Sequence, residues 1–275
     1  MTNAIIKLES TKQLIWDLPI RLWHWLLTGA LVGAAVISLA LGEHSSLFPY
    51  HSILGLVMGL MVVLRIIWAF VGTRHARLAS LAFSPRSLLS YLRGAVLGGA
   101  PRFAGHNPGA AYATIAMLVL ILVIAGSGIA LAQGVKGVKE IHEVSVYALL
   151  GVTGLHILGV IAHTIRHHEP IALSMIHGKK LAAEGEGIRT SRPLAALLFL
   201  AIVGGWAFML ARAYNPATQS TTLPFTSVTL VLGEAEGEDG EQHEGARVRD
   251  TQSDQREPER RSREDSHEER EDDDD

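Results

Sequence analysis

The sequence predicts an all-α integral membrane protein of five spans followed by a charged tail. Two observations carry this. Several windows of roughly 18 or more apolar residues recur along the chain, each long enough to cross a hydrocarbon core as a helix. The charge is also unevenly divided. Residues 1–233 hold 17 Lys/Arg and 8 Asp/Glu, a balance of +9, whereas residues 234–275 hold 7 Arg and 19 Asp/Glu, a balance of −12. The formal net charge of −3 over 275 residues averages these unlike regions.

The spans are expected at Pro19–Leu41, Tyr50–Val71, Ala110–Ala132, Ile141–His163 and Leu194–Leu210. The first is too long for the apolar core of a secretory signal, and no small-x-small cleavage site follows it, so it reads as retained. Lys/Arg in the short connections set the orientation. Lys7, Lys12 and Arg21 precede or open the first span, and the 42–49 loop has none. Arg74, Arg77, Arg86, Arg93 and Arg102 follow the second. The 133–140 loop has only Lys136 and Lys139, and Arg166, Lys179, Lys180, Arg189 and Arg192 follow the fourth. The N-terminus is therefore expected in the cytoplasm of a bacterial inner-membrane protein, with the C-terminal tail in the periplasm. Residues 170–180 read as a short segment on the cytoplasmic leaflet. The division expected is 1–182 as the main helical domain, 183–213 as linker and fifth span, and 214–275 as a disordered acidic tail too poor in large apolar groups to bury a core.

No cysteine is present. That excludes disulfides, thiolate metal sites, iron–sulfur clusters and covalently attached c-type haem. Nothing in the sequence calls for nucleic acid. The 13 histidines are more informative, because His24, His51, His142 and His156 fall in apolar spans, where an ionisable group is costly and marks function by default. His142 and His156 are 14 residues apart on one helix. That places them on nearly one face, separated by roughly 21 Å along the axis. With alternating span directions, depth pairs His24 with His156 and His51 with His142. Zinc would want three or four protein ligands at each level. A haem supplies its own four equatorial nitrogens and asks the protein only for axial ligands, so each pair suits one non-covalent bis-histidine haem. Gly55, Gly59, Gly126, Gly128, Gly151 and Gly154 would let a flat group approach a backbone, although small residues also serve ordinary helix packing in membranes. Arg65, 14 residues after His51, is the candidate partner of a haem propionate. His163 reads as a solvated helix end. His44, His75, His106, His167, His168, His177, His243 and His267 fall in loops or tails and receive no ligand role.

The residues Trp16-Asp17-Leu18-Pro19-Ile20-Arg21-Leu22-Trp23-His24-Trp25 open the first helix. His51-Ser52-Ile53-Leu54-Gly55-Leu56 and Arg65 to Arg77 mark the second, and Gly105-His106-Asn107-Pro108-Gly109 opens the third. Ile141-His142-Glu143 and Leu155-His156 mark the fourth, followed by Met175-Ile176-His177-Gly178-Lys179-Lys180. With these motifs in this order over residues 14–182, the chain resembles the bacterial cytochrome b561 and nickel–iron hydrogenase b-type cytochrome subunits. One departure is Pro170-Ile171, where Asn-Leu is more usual. The resemblance implies a four-helix core holding two haem b groups on His24, His51, His142 and His156, with the fifth span and tail outside it. It implies electron transfer across the membrane between the quinone pool, ubiquinone or menaquinone, and a periplasmic c-type cytochrome or hydrogenase-type subunit. The alternatives are a quinone reductase fed by a small periplasmic donor such as superoxide, and a histidine-based metal or proton transporter. The latter would want carboxylates within the spans, which are nearly free of them.

Overall fold

A computed structural model describes residues 11–99 and 101–233. The acidic stretch 234–275 lies outside the described residues.

Five helices are long and apolar enough to cross a membrane. The first, α1 (Leu18–Ala35), starts where Asp17 caps it, its carboxylate accepting from the Ile20 amide at 3.0 Å, with Pro19 in the first turn. Pro fits there because its missing N–H would have no intrahelical partner, and an acidic cap suits the positive end of the helix. The helix runs on as a π-helical segment over Val36–Leu41 and stops at Gly42, whose φ of +82° is the left-handed region open to glycine. Next come α2 (Phe48–Val71), an unpredicted short helix α3 (Pro85–Leu97), α4 (Pro108–Ala132) and α5 (Lys139–His167). Asn107 caps α4 by accepting from the Ala110 amide. The last span, α7 (Pro193–Ala213), follows a one-turn helix α6 (Ser174–His177).

α2 is the hub. It packs on α1, α4 and α7, while α4 pairs most extensively with α5. Its buried face carries Ile53, Val57, Met58, Met61, Val62, Arg65 and Ala69. The other spans leave broad apolar surface outward, including Val144, Leu155, Leu158 and Ile165 of α5 and Leu197, Leu198 and Phe208 of α7. In a bilayer, lipid covers such a surface at no cost.

Both ends of the bundle are closed by structure that the sequence did not announce. At one end, rich in Lys and Arg and called here the basic end, β1 (Thr11–Leu14) pairs antiparallel with β2 (Lys179–Ala182), Thr11 facing Ala182 and Leu14 facing Lys179. Under this ribbon Ile15, Trp16, Ile20, Ala76 and Ala182 form a small buried cluster. Residues 170–180 therefore dock on protein. Trp16 Nε1 donates to Ser174 Oγ at 3.1 Å, Trp25 Nε1 donates to the Met175 carbonyl at 3.0 Å, and Arg21 donates to the Ile176 carbonyl. Asp17, only 1% exposed, ties the end together. Besides capping α1 it accepts from Trp68 Nε1 at 3.1 Å and Thr73 Oγ1 at 2.6 Å, joining α1 to the end of α2.

At the far end, residues 214–233 correct the expected tail boundary. They form a hairpin of β3 (Ser220–Thr222) and β4 (Thr229–Val231). Thr221 Oγ1 donates to the Leu210 carbonyl at 3.0 Å, and Leu230 and Leu232 are buried with Ile53, Val57, Met61, Val203 and Leu210. Composition misled because the stretch is short and polar, yet alternation puts Thr221, Leu230 and Leu232 on one inward face.

Candidate functional site

All four expected histidines stand half-buried on the spans, in two places. Near the far end, the rings of His51 on α2 and His142 on α5 have centroids 6.4 Å apart, at 65° to each other. Each ring is oriented by its Nδ1. His51 Nδ1 is 2.9 Å from the carbonyl oxygen of Ala34, just before α1 turns π-helical. A carbonyl only accepts, so this nitrogen carries the proton and Nε2 keeps its lone pair. His142 Nδ1 is 3.1 Å from Ser127 Oγ of α4. The single hydroxyl proton of Ser127 is engaged with the carbonyls of Val123 at 2.7 Å and Ile124 at 3.1 Å. Ser127 therefore accepts, and His142 too presents an unprotonated Nε2. Neutral imidazole with one nitrogen anchored and the other basic is the usual state of a metal-ligating histidine.

The spacing suits an axial pair. A metal–imidazole bond is about 2 Å, so two such bonds plus the two ring radii fill roughly the observed separation. Gly55, one turn beyond His51, is half-buried, and a Cβ added there or at Gly126, on the exposed side of α4 beside Ser127, would meet nothing within 4 Å. Gly151 and Gly154 are similarly open but exposed. Gly128 lies against His142, with 3.4 Å between its added Cβ and the ring, and a Cβ added at Gly59 would come 3.1 Å from the Ala125 Cβ, a close approach of α2 and α4. Among the described residues no group of three or more His, Asp or Glu side chains gathers to hold a bare metal ion. Paired imidazoles flanked by open glycines fit a flat group that brings its own equatorial nitrogens.

Nearer the basic end, His24 on α1 and His156 on α5 lie within electrostatic range of each other. His24 Nδ1 is buried with no hydrogen-bond partner, an unspent ring nitrogen of the kind that native structures rarely leave idle. Arg65 is buried, donates from Nη1 to the Ala76 carbonyl at 3.1 Å, and holds its guanidinium carbon 5.8 Å from the ring of Trp23. These contacts fix the side chain beside the neighbour of His24. His163 stacks obliquely on His167 at the end of α5, centroids 4.4 Å apart.

Two histidines given no role in the sequence reading lie just beyond this second pair. His75 Nε2 donates to the Glu186 carbonyl at 2.7 Å, and burial lowers its pKa, an effect partly offset by that bond. His106 lies edge-on to Trp16 at 4.8 Å, with Nδ1 buried and unpartnered. Burial, reinforced by the charges of Arg65 and Lys180, pushes its pKa down to about 3, so it stays neutral near pH 7. Both line a cavity of about 350 Å³ with Arg74, Ser80, Gly105 and Glu186. Lys180 borders His106 by donating to the carbonyls of Phe103 at 2.9 Å and Gly105 at 3.3 Å, and burial lowers its pKa. The signal missed was the Gly105-His106-Asn107 sequence itself, where a Cβ on Gly105 would come within 2.7 Å of His75 Nδ1. Asp17 was also legible as an acid directly before Leu-Pro, a helix-start pattern.

A probable Ni/Fe-hydrogenase B-type cytochrome subunit of Rhizobium leguminosarum bv. viciae is 24% identical over 223 residues, covering 65% of this chain and 93% of the relative. One from Rhodobacter capsulatus is 23% identical over 216 residues, covering 62% and 82%. A probable Ni/Fe-hydrogenase 1 B-type cytochrome subunit of Escherichia coli K12 is 33% identical over 78 residues, covering 23% and 33%. No solved structure matches the chain. The profile of prokaryotic cytochrome b561 matches residues 15–178, more than half the chain and all four span histidines. The chain belongs to that family, as a multi-pass membrane b-type cytochrome that binds haem and serves electron transfer.

Proposed function

We propose that the chain holds two haem b groups, one between His51 and His142 and one between His24 and His156, and passes electrons across the bacterial inner membrane between the quinone pool and a periplasmic redox protein. The observation that carries this is the His51–His142 pair, 6.4 Å apart with both Nδ1 atoms engaged. Haem supplies reversible one-electron chemistry. The chain's residues orient the axial nitrogens, fix their tautomers and keep water from them with the apolar faces of α1, α2, α4 and α5. Arg65 is the candidate counter-charge for a carboxylate at the basic end, since the nearby Asp17 already accepts from Ile20, Trp68 and Thr73. Two imidazoles would hold each haem and would leave no coordination position for substrate, which favours a relay over chemistry at the metal.

The excess of Lys and Arg at the basic end supports a cytoplasmic position for it. The far end, with the hairpin and the root of the acidic tail, then faces the periplasm. The hydrogenase-subunit names of the relatives support a partner of hydrogenase type there, and a c-type cytochrome fits the same position.

Four single variants test the pairing. Purified, dithionite-reduced protein should carry two acid-extractable haems per chain. His51→Ala and His142→Ala should each lose one and the same spectral component in redox titration, and His24→Ala and His156→Ala the other. Loss of the same component in His24→Ala and His51→Ala would refute the assignment.

A further inference from the structure

We propose that α3 is an in-plane membrane anchor that binds anionic phospholipid at the basic end. Both its ends are tied to the membrane-spanning helices. Phe83, just before α3, gives its carbonyl to Tyr112 Oη of α4 at 3.0 Å, and Ala95 gives its carbonyl to Arg166 Nη1, in the last turn of α5, at 2.9 Å. A helix pinned to the first turns of one span and the last turn of another lies across their ends, at the depth where hydrocarbon meets headgroups.

Its surface matches that depth. None of its 13 residues is buried. At 3.6 residues per turn Leu89, Leu92 and Val96 fall within about 60° of one another. All three are exposed, Val96 at 81%, and Leu97 follows at 84%. Ser87, Leu88, Tyr91 and Ala95 take the side facing α4, so this stripe has no protein over it among the described residues. Arg86 and Arg93, seven residues apart, lie together on the edge beside the stripe, and Ser90 and Gly94 continue the polar side. No Asp or Glu occurs between Glu43 and Glu140, so the region offers these arginines no carboxylate in sequence. An apolar stripe bordered by arginines is the pattern of a helix lying in the interface, with its cations at the level of the lipid phosphates. The loops on either side of α3 carry His75 and His106, so the anchor also fixes the lid over the basic end.

The absence of cysteine allows a direct test. Nitroxide labels on Leu92→Cys and, separately, Ser90→Cys of the full chain are read by power-saturation spectroscopy in bilayers of phosphatidylcholine with phosphatidylglycerol. The Leu92 label should be relaxed by oxygen and shielded from a water-soluble nickel chelate, and the Ser90 label the reverse. Free access of the chelate to both labels overturns the anchor. A Leu92 label shielded from both reagents means a protein or second copy covers the stripe, and overturns it equally. For the headgroup, native mass spectrometry compares phosphatidylglycerol with phosphatidylcholine binding. Arg86→Gln with Arg93→Gln should cut the preference roughly thirtyfold, about a factor of five per arginine, with haem content unchanged. An unaltered preference refutes the headgroup assignment.

Discussion

Ser127 decides which nitrogen His142 presents, although it touches no cofactor. Its hydroxyl proton is committed to the helix carbonyls, so its oxygen can only accept, and this keeps the proton on His142 Nδ1. Such a bond raises the basicity of the opposite nitrogen, which favours the oxidised metal. Ser127→Ala should therefore raise the midpoint potential of the haem lost in His142→Ala and weaken its retention by roughly 10–100-fold, leaving the other haem unmoved. Redox titration and haem quantification check both effects. The four proposed ligand histidines were picked out in sequence, because their positions in apolar spans and the 14-residue spacing encode depth and facing. Ser127 and the Ala34 carbonyl were not, because a serine in a transmembrane helix bonds its own backbone wherever it lies, and a carbonyl has no sequence signature.

At the scale of elements, the five spans were readable from apolar length alone, within a few residues at most ends. The pieces that escaped are those whose stability comes from tertiary partners: α3, the β1–β2 ribbon and the β3–β4 hairpin. Strands of three or four residues have no periodicity to read. Asp17 shows how such pieces are held. Asp17→Ala removes a helix cap and leaves the Trp68 indole and Thr73 hydroxyl without their acceptor. The expected cost is about 3 kcal/mol, concentrated at the basic end. Thermal unfolding should fall accordingly, with hydrogen exchange rising at Ile15–Ile20 and Thr73–Ala76 while the far end keeps its protection. Asp17→Asn, which can still cap and accept, should recover part of the loss.

For the whole molecule, charge is divided along the sequence: a balance of +9 over residues 1–233 and of −12 over residues 234–275. The hairpin ends near the far-end pair, since the Leu232 carbonyl accepts from Ser52, the neighbour of His51. A balance of −12 in the residues that follow would draw a basic electron carrier by long-range steering, an effect screened by salt. Deleting residues 234–275 should leave both haems in place. It should slow reaction with a lysine-rich cytochrome at low ionic strength and make little difference at high ionic strength, as stopped-flow mixing would show. Loss of haem on deletion would mean that the tail belongs to the fold.

The ribbon at the basic end also has a bearing on the order in which the protein is made. Thr11 leaves the ribosome before any of the five spans, and Ala182, its partner across the ladder, emerges only after four spans have been threaded. A pairing so distant in sequence forms late, since the intervening chain must be ordered first. Until then this end lacks the ribbon that lies over Ile15, Trp16, Ile20 and Ala76. Translation itself thus sets when this end can close, and the arrival of β2 completes it.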